Sequence, residues 1–179
     1  MKNQNLPAEP PPIDKFHLPR FSEIPDVGLY LEQTVKLLNS YLAPLGEAEL
    51  TASMVSNYVK QKLLPRPEKK LYYNSHIAQL VFIGIAKNVA ALEDIRLLLE
   101  LQAEKYDLAA AYEYFSQAFE AALHQAFGLS GKKALPAQAS DTDSEDRVLL
   151  HRLIRAAVDK IYLDHGLRSL RLSSEPPHE

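Results

Sequence analysis

The chain has 179 residues, 46% of them hydrophobic, and a formal net charge of −3. This length fits one medium domain or two small ones, with enough apolar residues for a real core. The sequence has no cysteine and only six glycines, which excludes disulfides and thiolate metal sites and favours a mostly α-helical fold. Without a signal peptide or an apolar run of roughly 20 residues, we expect a cytoplasmic protein that does not enter a membrane.

The first 22 residues are rich in proline and poor in large apolar side chains. Such a segment neither joins a helix nor buries enough surface to offset its ordering entropy. We therefore expect residues 1–22 to be a flexible arm. Asp26 is then predicted to cap a helix that ends at Pro44 and Gly46. Its apolar stripe has helical spacing and consists of Leu31, Val35, Leu38 and Leu42.

The stretch from Thr51 to Tyr73 organises the functional interpretation. Thr51 is a good N-cap for a helix over about residues 51–63, with Val55 and Leu63 facing inward. The outward side then presents short hydrogen-bonding groups and one cation, which suit base edges and phosphates. These outward residues are Ser53, Ser56, Asn57 and Lys60.

Residues 60–70 form a basic strip in an acidic protein. Five cations stand there against Glu68 alone: Lys60, Lys62, Arg66, Lys69 and Lys70. Local charge of this kind is what DNA phosphates attract. The alternative is a solvated helix and turn whose charges serve only solubility. Two more helices are predicted after the strip, one capped by Asn74 or Ser75 and one that begins at Leu92.

This order of elements resembles the MerR-like winged helix-turn-helix regulators. The matching elements are Val55-Ser56-Asn57-Tyr58, Leu63-Leu64-Pro65, Leu71-Tyr72-Tyr73-Asn74 and Leu92-Glu93-Asp94-Ile95-Arg96. With Asp26-Val27-Gly28-Leu29-Tyr30, the chain is more closely similar to a bacterial family catalogued as a domain of unknown function, whose members are regarded as transcriptional regulators. The resemblance implies a dimer that binds double-stranded DNA, with residues 51–63 in the major groove and wing residues on phosphates.

The predicted DNA contacts combine the outward helix residues with the basic strip and one tyrosine. They are Ser53, Ser56, Asn57, Lys60, Lys62, Arg66, Lys69, Lys70 and Tyr72. The pattern also departs from the MerR-like one, because Ser56 stands where an arginine is usual and the wing, residues 67–71, is very short. The basic residues are therefore better candidates for phosphate contacts than any residue is for base reading. The alternative function is a helical adaptor that kept this scaffold and binds protein.

The C-terminal part is predicted to form a helical hairpin used for dimerisation. Asp107 caps a helix over residues 107–127 that stops at Gly128. A polar loop follows, and a second helix runs from Ser144 or Glu145 to Gly166. The nearby aromatic side chains fit either a pocket for a small-molecule effector or a core with a dimer interface. They are Tyr106, Tyr112, Tyr114 and Phe127.

The predicted organisation is thus an arm at 1–22, a helix-turn-helix domain at 23–100, a dimerisation or effector region at 101–168 and a loose tail at 169–179. The six histidines have no metal-ligand spacing, and no phosphate-binding glycine loop or nucleophile motif occurs. We therefore expect no enzyme activity, no metal and no cofactor.

Overall fold

The structure, a computed structural model, describes residues 13–129 and 144–174. The predicted mostly helical fold is confirmed. Within these ranges there are six α-helices, two isolated antiparallel bridges and no strand. The helices are α1 (Leu31–Leu42), α2 (Ala52–Lys60), α3 (Asn74–Ala86), α4 (Leu92–Lys105), α5 (Leu108–Ala126) and α6 (Glu145–Ser174). None of these six helices is long and apolar enough to cross a membrane.

Helix α3 is the central element of the fold. Its side chains are buried around nearly the whole circumference from His76 to Ala86, as expected of a helix that is apolar on every face. Helix α1 packs on it, as do α5 and α6. A Cβ on Gly84 would lie 2.7 Å from Leu42 Cδ1, so the glycine permits the close approach of α1 and α3.

Helix α6 packs its apolar face inside the chain. The buried residues of this face include Leu153, Ile154 and Ile161, and α6 packs on α3, α4 and α5. One cluster of buried side chains runs from the N-terminal segment to α6. The predicted boundary at residue 100 falls within α4.

The N-terminal segment differs from the expected flexible arm. Ile13, Phe16 and Leu18 are at most 7% exposed. The backbone N–H of Leu18 donates to Glu120 Oε1 at 2.8 Å, and that of Phe21 donates to Glu113 Oε1 at 2.6 Å. Carboxylates of α5 thus accept hydrogen bonds from backbone N–H groups that have no backbone partner in this segment. The prediction was wrong for residues 13–22, while residues 1–12 lie outside the described ranges.

Two predicted helix starts are also corrected. Helix α1 begins at Leu31, after Tyr30 rather than Asp26, because Leu29 is held extended by two backbone hydrogen bonds to Tyr72, of 2.9 and 2.8 Å. Helix α3 has Tyr73 at its N-cap position instead of Asn74 or Ser75. Both differences come from the same bridge between distant parts of the chain.

Helix α6 does not end at Gly166 but continues to Ser174. A glycine inside a helix costs only about 1 kcal/mol relative to alanine, and contacts on both sides of Gly166 hold the helix in place. Arg168 Nη2 donates to the carbonyl of Gly46 at 3.0 Å, and His165 Nε2 lies 3.3 Å from the carbonyl of Leu45. The expected loose tail is therefore helical up to residue 174, and residues 175–179 lie outside the described ranges, as do 130–143 of the expected loop.

Candidate nucleic-acid interface

Helix α2 begins where the sequence predicts. Thr51 Oγ1 accepts the backbone N–H of Met54 at 3.2 Å, which supplies one of the bonds that the first turn lacks. Val55 and Tyr58 are buried, and burial raises the pKa of the Tyr58 phenol. The helix ends at Lys60, three residues earlier than expected.

The outward face of α2 is open to solvent. Ser53, Asn57 and Lys60 are exposed, and Ser56 is half-buried. Gln61 Nε2 donates to Asn57 Oδ1 at 3.4 Å. The predicted polar face is therefore not covered by another helix in the part of the chain that the structure describes.

The end of α2 forms a Schellman motif with a lysine at its left-handed position. Lys62 has φ +57°. Its backbone N–H bonds to the carbonyl of Val59 at 3.1 Å, and the N–H of Leu63 bonds to the carbonyl of Tyr58 at 2.9 Å. Glycine is the usual residue here because it has no Cβ.

The predicted wing is a two-residue hairpin with lysines at both central positions. Glu68 and Leu71 exchange two backbone hydrogen bonds, of 3.1 and 2.8 Å. Between them, Lys69 has φ +48° and Lys70 has φ +69°. Positive φ at both positions defines a type I′ turn, for which Asn-Gly is the favoured sequence.

These three lysines are the only non-glycine residues with positive φ in the described ranges. The left-handed conformation costs about 1–2 kcal/mol for an ordinary residue. Local backbone preference therefore does not explain lysine at any of the three positions. What lysine adds over glycine or asparagine is a long cationic side chain.

The cationic groups of the strip are exposed and held by no anion. Lys60, Lys62, Arg66, Lys69 and Lys70 are all exposed. In the described ranges none of them makes an ion pair or a side-chain hydrogen bond. With Glu68 included, residues 60–70 carry a net charge of +4 in a chain of −3. We call residues 60–70 the basic strip.

His76 positions the strip against α3, a role that we did not predict from the sequence. Its Nδ1 accepts the backbone N–H of Tyr73 at 3.1 Å, so its other nitrogen, Nε2, carries the proton and donates to the carbonyl of Arg66 at 3.3 Å. The signal in the sequence is a hydrogen-bonding side chain, His76, at the third position of α3. In a capping box the side chain at this position accepts the backbone N–H of the N-cap residue.

Tyr72 is corrected as a DNA contact. Its side chain is only 4% exposed, and its ring packs edge-on against His76 at 5.6 Å between centroids. Burial raises the pKa of its phenol. Tyr72 therefore supports the base of the hairpin and does not belong to the exposed surface.

The fold and this surface define a small α-helical protein with a short basic hairpin between its second and third helices. In the described ranges, no group of three potential ligand side chains is arranged to hold a metal ion. The chain belongs to the family described as Domain of unknown function (DUF1836), whose model matches residues 19–115. No curated protein and no solved structure matches it. The matched region includes the whole of α1 to α4 and the basic strip.

Proposed function

We propose that the protein is a dimeric DNA-binding transcriptional regulator of the winged helix-turn-helix, MerR-like type. Helix α2 is the recognition helix, and residues 67–71 are the short wing. The observation that carries the proposal is the set of three lysines in left-handed conformations, Lys62, Lys69 and Lys70. Strain of this kind persists where function requires the side chain, and phosphate binding requires a cation.

The support for α2 has the rigidity that a recognition helix needs. Asn39 of α1 bonds both backbone groups of Leu50, since its Nδ2 donates to the carbonyl and its Oδ1 accepts the N–H, each at 2.9 Å. Leu50 directly precedes the Thr51 cap. The start of α2 is thus fixed to α1, and the end is fixed by buried Leu63 and Leu64.

The proposed contacts divide by chemistry. The five cations of the basic strip bind phosphates, which gives affinity without sequence preference. Ser53, Ser56 and Asn57 face the base edges and offer short hydrogen-bonding groups. No arginine stands among these three, so the bidentate arginine–guanine contact is missing from this face, and sequence discrimination is modest.

The test is the salt dependence of binding to a DNA duplex, measured by fluorescence anisotropy from low to physiological salt. Each lost phosphate contact lowers the slope of log K against log salt by about 0.9. The combined variant Lys60→Ala, Lys69→Ala and Lys70→Ala is expected to weaken binding to all sequences alike and to reduce the slope by about 2.7.

A matched control removes the same charge elsewhere. Lys15, Arg152 and Arg155 are exposed and lie outside the basic strip. Their combined replacement by alanine should leave the slope within about 0.5 of the wild-type value, because none of them is a proposed phosphate contact. If the wild-type protein binds no duplex at roughly 50 mM salt, the regulator proposal is overturned.

The second candidate is a helical adaptor that binds protein through the same scaffold. The observation that favours it is a row of exposed leucines on α6, formed by Leu163, Leu167 and Leu170 with exposures of 58%, 41% and 68%. Exposed apolar rows mark protein contacts. An adaptor that had lost DNA binding would be expected to bury the outward face of α2 against another helix. Within the described chain this face is not covered.

A further inference from the structure

A cavity of about 290 Å³ lies between α3, α4, α5 and α6. Its walls are mostly aliphatic and aromatic, and they include Phe82, Leu98, Leu99, Phe115 and Leu150. An apolar cavity of about 150 Å³ holds one benzene molecule, so this cavity has room for an aromatic ring with a substituent. Apolar walls with a small number of polar groups are typical of small-molecule sites.

The hydroxyl groups of the inner wall are already used within the protein. The hydroxyl of Tyr112 donates to the carbonyl of Pro19 at 2.9 Å, and the hydroxyl of Tyr114 shares a hydrogen bond of 2.6 Å with His151 Nε2. Tyr106 is 41% exposed and belongs to the rim of the cavity. A ligand inside the cavity therefore finds no unused hydroxyl among Tyr112 and Tyr114.

One amide of the wall has no partner within the described chain. Gln102 of α4 lines the cavity and donates to the carbonyl of Tyr106 at 3.1 Å. Gln79 of the central helix α3 also lines the cavity, half-buried, and its amide makes no hydrogen bond in the part of the chain that the structure describes. Because an amide both donates and accepts without carrying a charge, Gln79 suits an uncharged polar group.

The charged side chains of the wall have partners of their own. Asp146 pairs with Lys105 at 2.7 Å, and that hydrogen bond holds the pKa of the Asp146 carboxyl below its ordinary value. Arg147 holds its guanidinium 4.4 Å from the ring centroid of Tyr114. Neither charge is left over for a ligand. An ion that entered between these apolar walls would lose its hydration without gaining a counter-ion, which is strongly unfavourable.

We infer that this cavity binds a small uncharged molecule that is mostly apolar and carries one amide or hydroxyl group. The apolar part of the ligand lies among Phe82, Leu99 and Phe115, and its polar group bonds to the amide of Gln79. This binding site goes beyond the proposed function and does not depend on it, because ligand binding can be measured without DNA.

The probe is benzamide, an uncharged ring with one amide group. Benzoate and benzylammonium are its charged counterparts, and toluene is its apolar counterpart. The chain contains no tryptophan, so Ala110→Trp places a single fluorophore at the exposed rim of the cavity. Benzamide is expected to shift the emission of this variant saturably, and calorimetry on the wild-type protein is expected to show one site per chain. Both charged counterparts should bind at least about tenfold more weakly than benzamide.

Two substitutions locate the site. Ala111 lines the cavity half-buried, and Ala111→Phe should weaken benzamide binding at least about tenfold by filling the cavity. Ala121 lies on the same helix, is also half-buried and does not line the cavity, so Ala121→Phe should bind as the wild-type protein does. Circular dichroism checks that both variants fold.

The polar contact is tested by Gln79→Leu, which keeps a side chain of similar size and removes the amide. Benzamide binding should fall about fivefold, while toluene binding should not fall. The proposal is overturned if neither benzamide nor toluene binds the wild-type protein at millimolar concentration, or if Ala111→Phe binds benzamide normally. Binding of benzoate or benzylammonium as tight as that of benzamide would overturn the assignment of an uncharged ligand, and unchanged benzamide binding in Gln79→Leu would overturn the role of Gln79.

Discussion

At the scale of single residues, Lys69 and Lys70 are cations at two positions where the backbone conformation favours asparagine and glycine. Replacing them by asparagine and glycine installs the favoured type I′ sequence. We expect the double variant Lys69→Asn, Lys70→Gly to be about 1 kcal/mol more stable, because relief of the left-handed strain exceeds the entropy cost of one added glycine. Urea denaturation measures this gain. The same variant should lose DNA affinity, with a salt slope lower by about 1.8.

A control variant keeps both the positive charges and the left-handed strain at positions 69 and 70. Lys69→Arg with Lys70→Arg should leave both stability and salt slope near wild type, since arginine is also a cation with an ordinary Cβ. If the asparagine–glycine variant is no more stable than wild type, the lysines are not strained. If it is more stable and binds DNA unchanged, the strain serves some purpose other than phosphate binding.

His76 is the residue whose loss should release the basic strip from α3. His76→Ala removes the acceptor of the Tyr73 N–H and the donor to the Arg66 carbonyl. A buried polar group left without a partner costs about 1–3 kcal/mol. The Tyr73 N–H and the Arg66 carbonyl are part-buried, so we expect the two together to cost about 2 kcal/mol in urea denaturation. His17→Ala is the control, because His17 is exposed and should change stability by less than about 0.5 kcal/mol. Equal effects of the two changes would contradict the positioning role.

At the scale of elements, α5 holds the N-terminal segment through its carboxylates. Glu120 accepts the Leu18 N–H and also pairs with Arg20 at 3.2 Å. Glu120→Ala should cost about 1–3 kcal/mol and raise hydrogen exchange over residues 16–24. The exposed Glu100 of α4 offers a control, and Glu100→Ala should leave that exchange unchanged. Protection that survives Glu120→Ala would mean that this carboxylate is not needed to order the segment.

The helix starts that the sequence predicts correctly depend on neighbours in the chain. Thr51 and Asp107 cap their own first turns, with Asp107 Oδ2 accepting the N–H groups of Ala109 and Ala110, so periodicity and cap chemistry suffice to find them. The starts of α1 and α3 depend instead on the bridge between Leu29 and Tyr72. No local pattern encodes that pairing, and it also buries Tyr72, which the motif resemblance had placed on the surface.

In the candidate interface, too, some features follow from the local sequence and others only from the tertiary fold. The exposed cations of the basic strip follow from composition, because lysine and arginine remain at the surface unless they are paired. Their backbone conformations do not follow, since positive φ is predicted for glycine or asparagine and these positions hold lysine. The role of His76 depends on bringing Arg66 next to the start of α3, which only the tertiary fold provides.

At the scale of the whole molecule, the apolar face of α6, the second helix of the hairpin that we expected to dimerise, packs within the chain. The proposed dimer therefore needs another surface. Leu163, Leu167 and Leu170 supply one, because their spacing places them together on a helix and all three are exposed. The proposed regulator would be a dimer joined there by a two-fold axis, since regulators with one recognition helix per chain usually read two half-sites about 34 Å apart.

The last prediction tests this surface. Leu163→Glu with Leu170→Glu should convert a dimer into a monomer in light scattering, because it places two like charges from each copy in the apolar contact. The folded chain should keep its helix content, since neither side chain is in the core. Affinity for a duplex with two half-sites should fall at least tenfold, while affinity for a single half-site should not change. Leu97→Glu, at a leucine of α4 that is 54% exposed, should remain dimeric. A wild-type protein that is monomeric at micromolar concentration would refute the α6 interface. It would leave the proposed phosphate contacts of the basic strip to their own test.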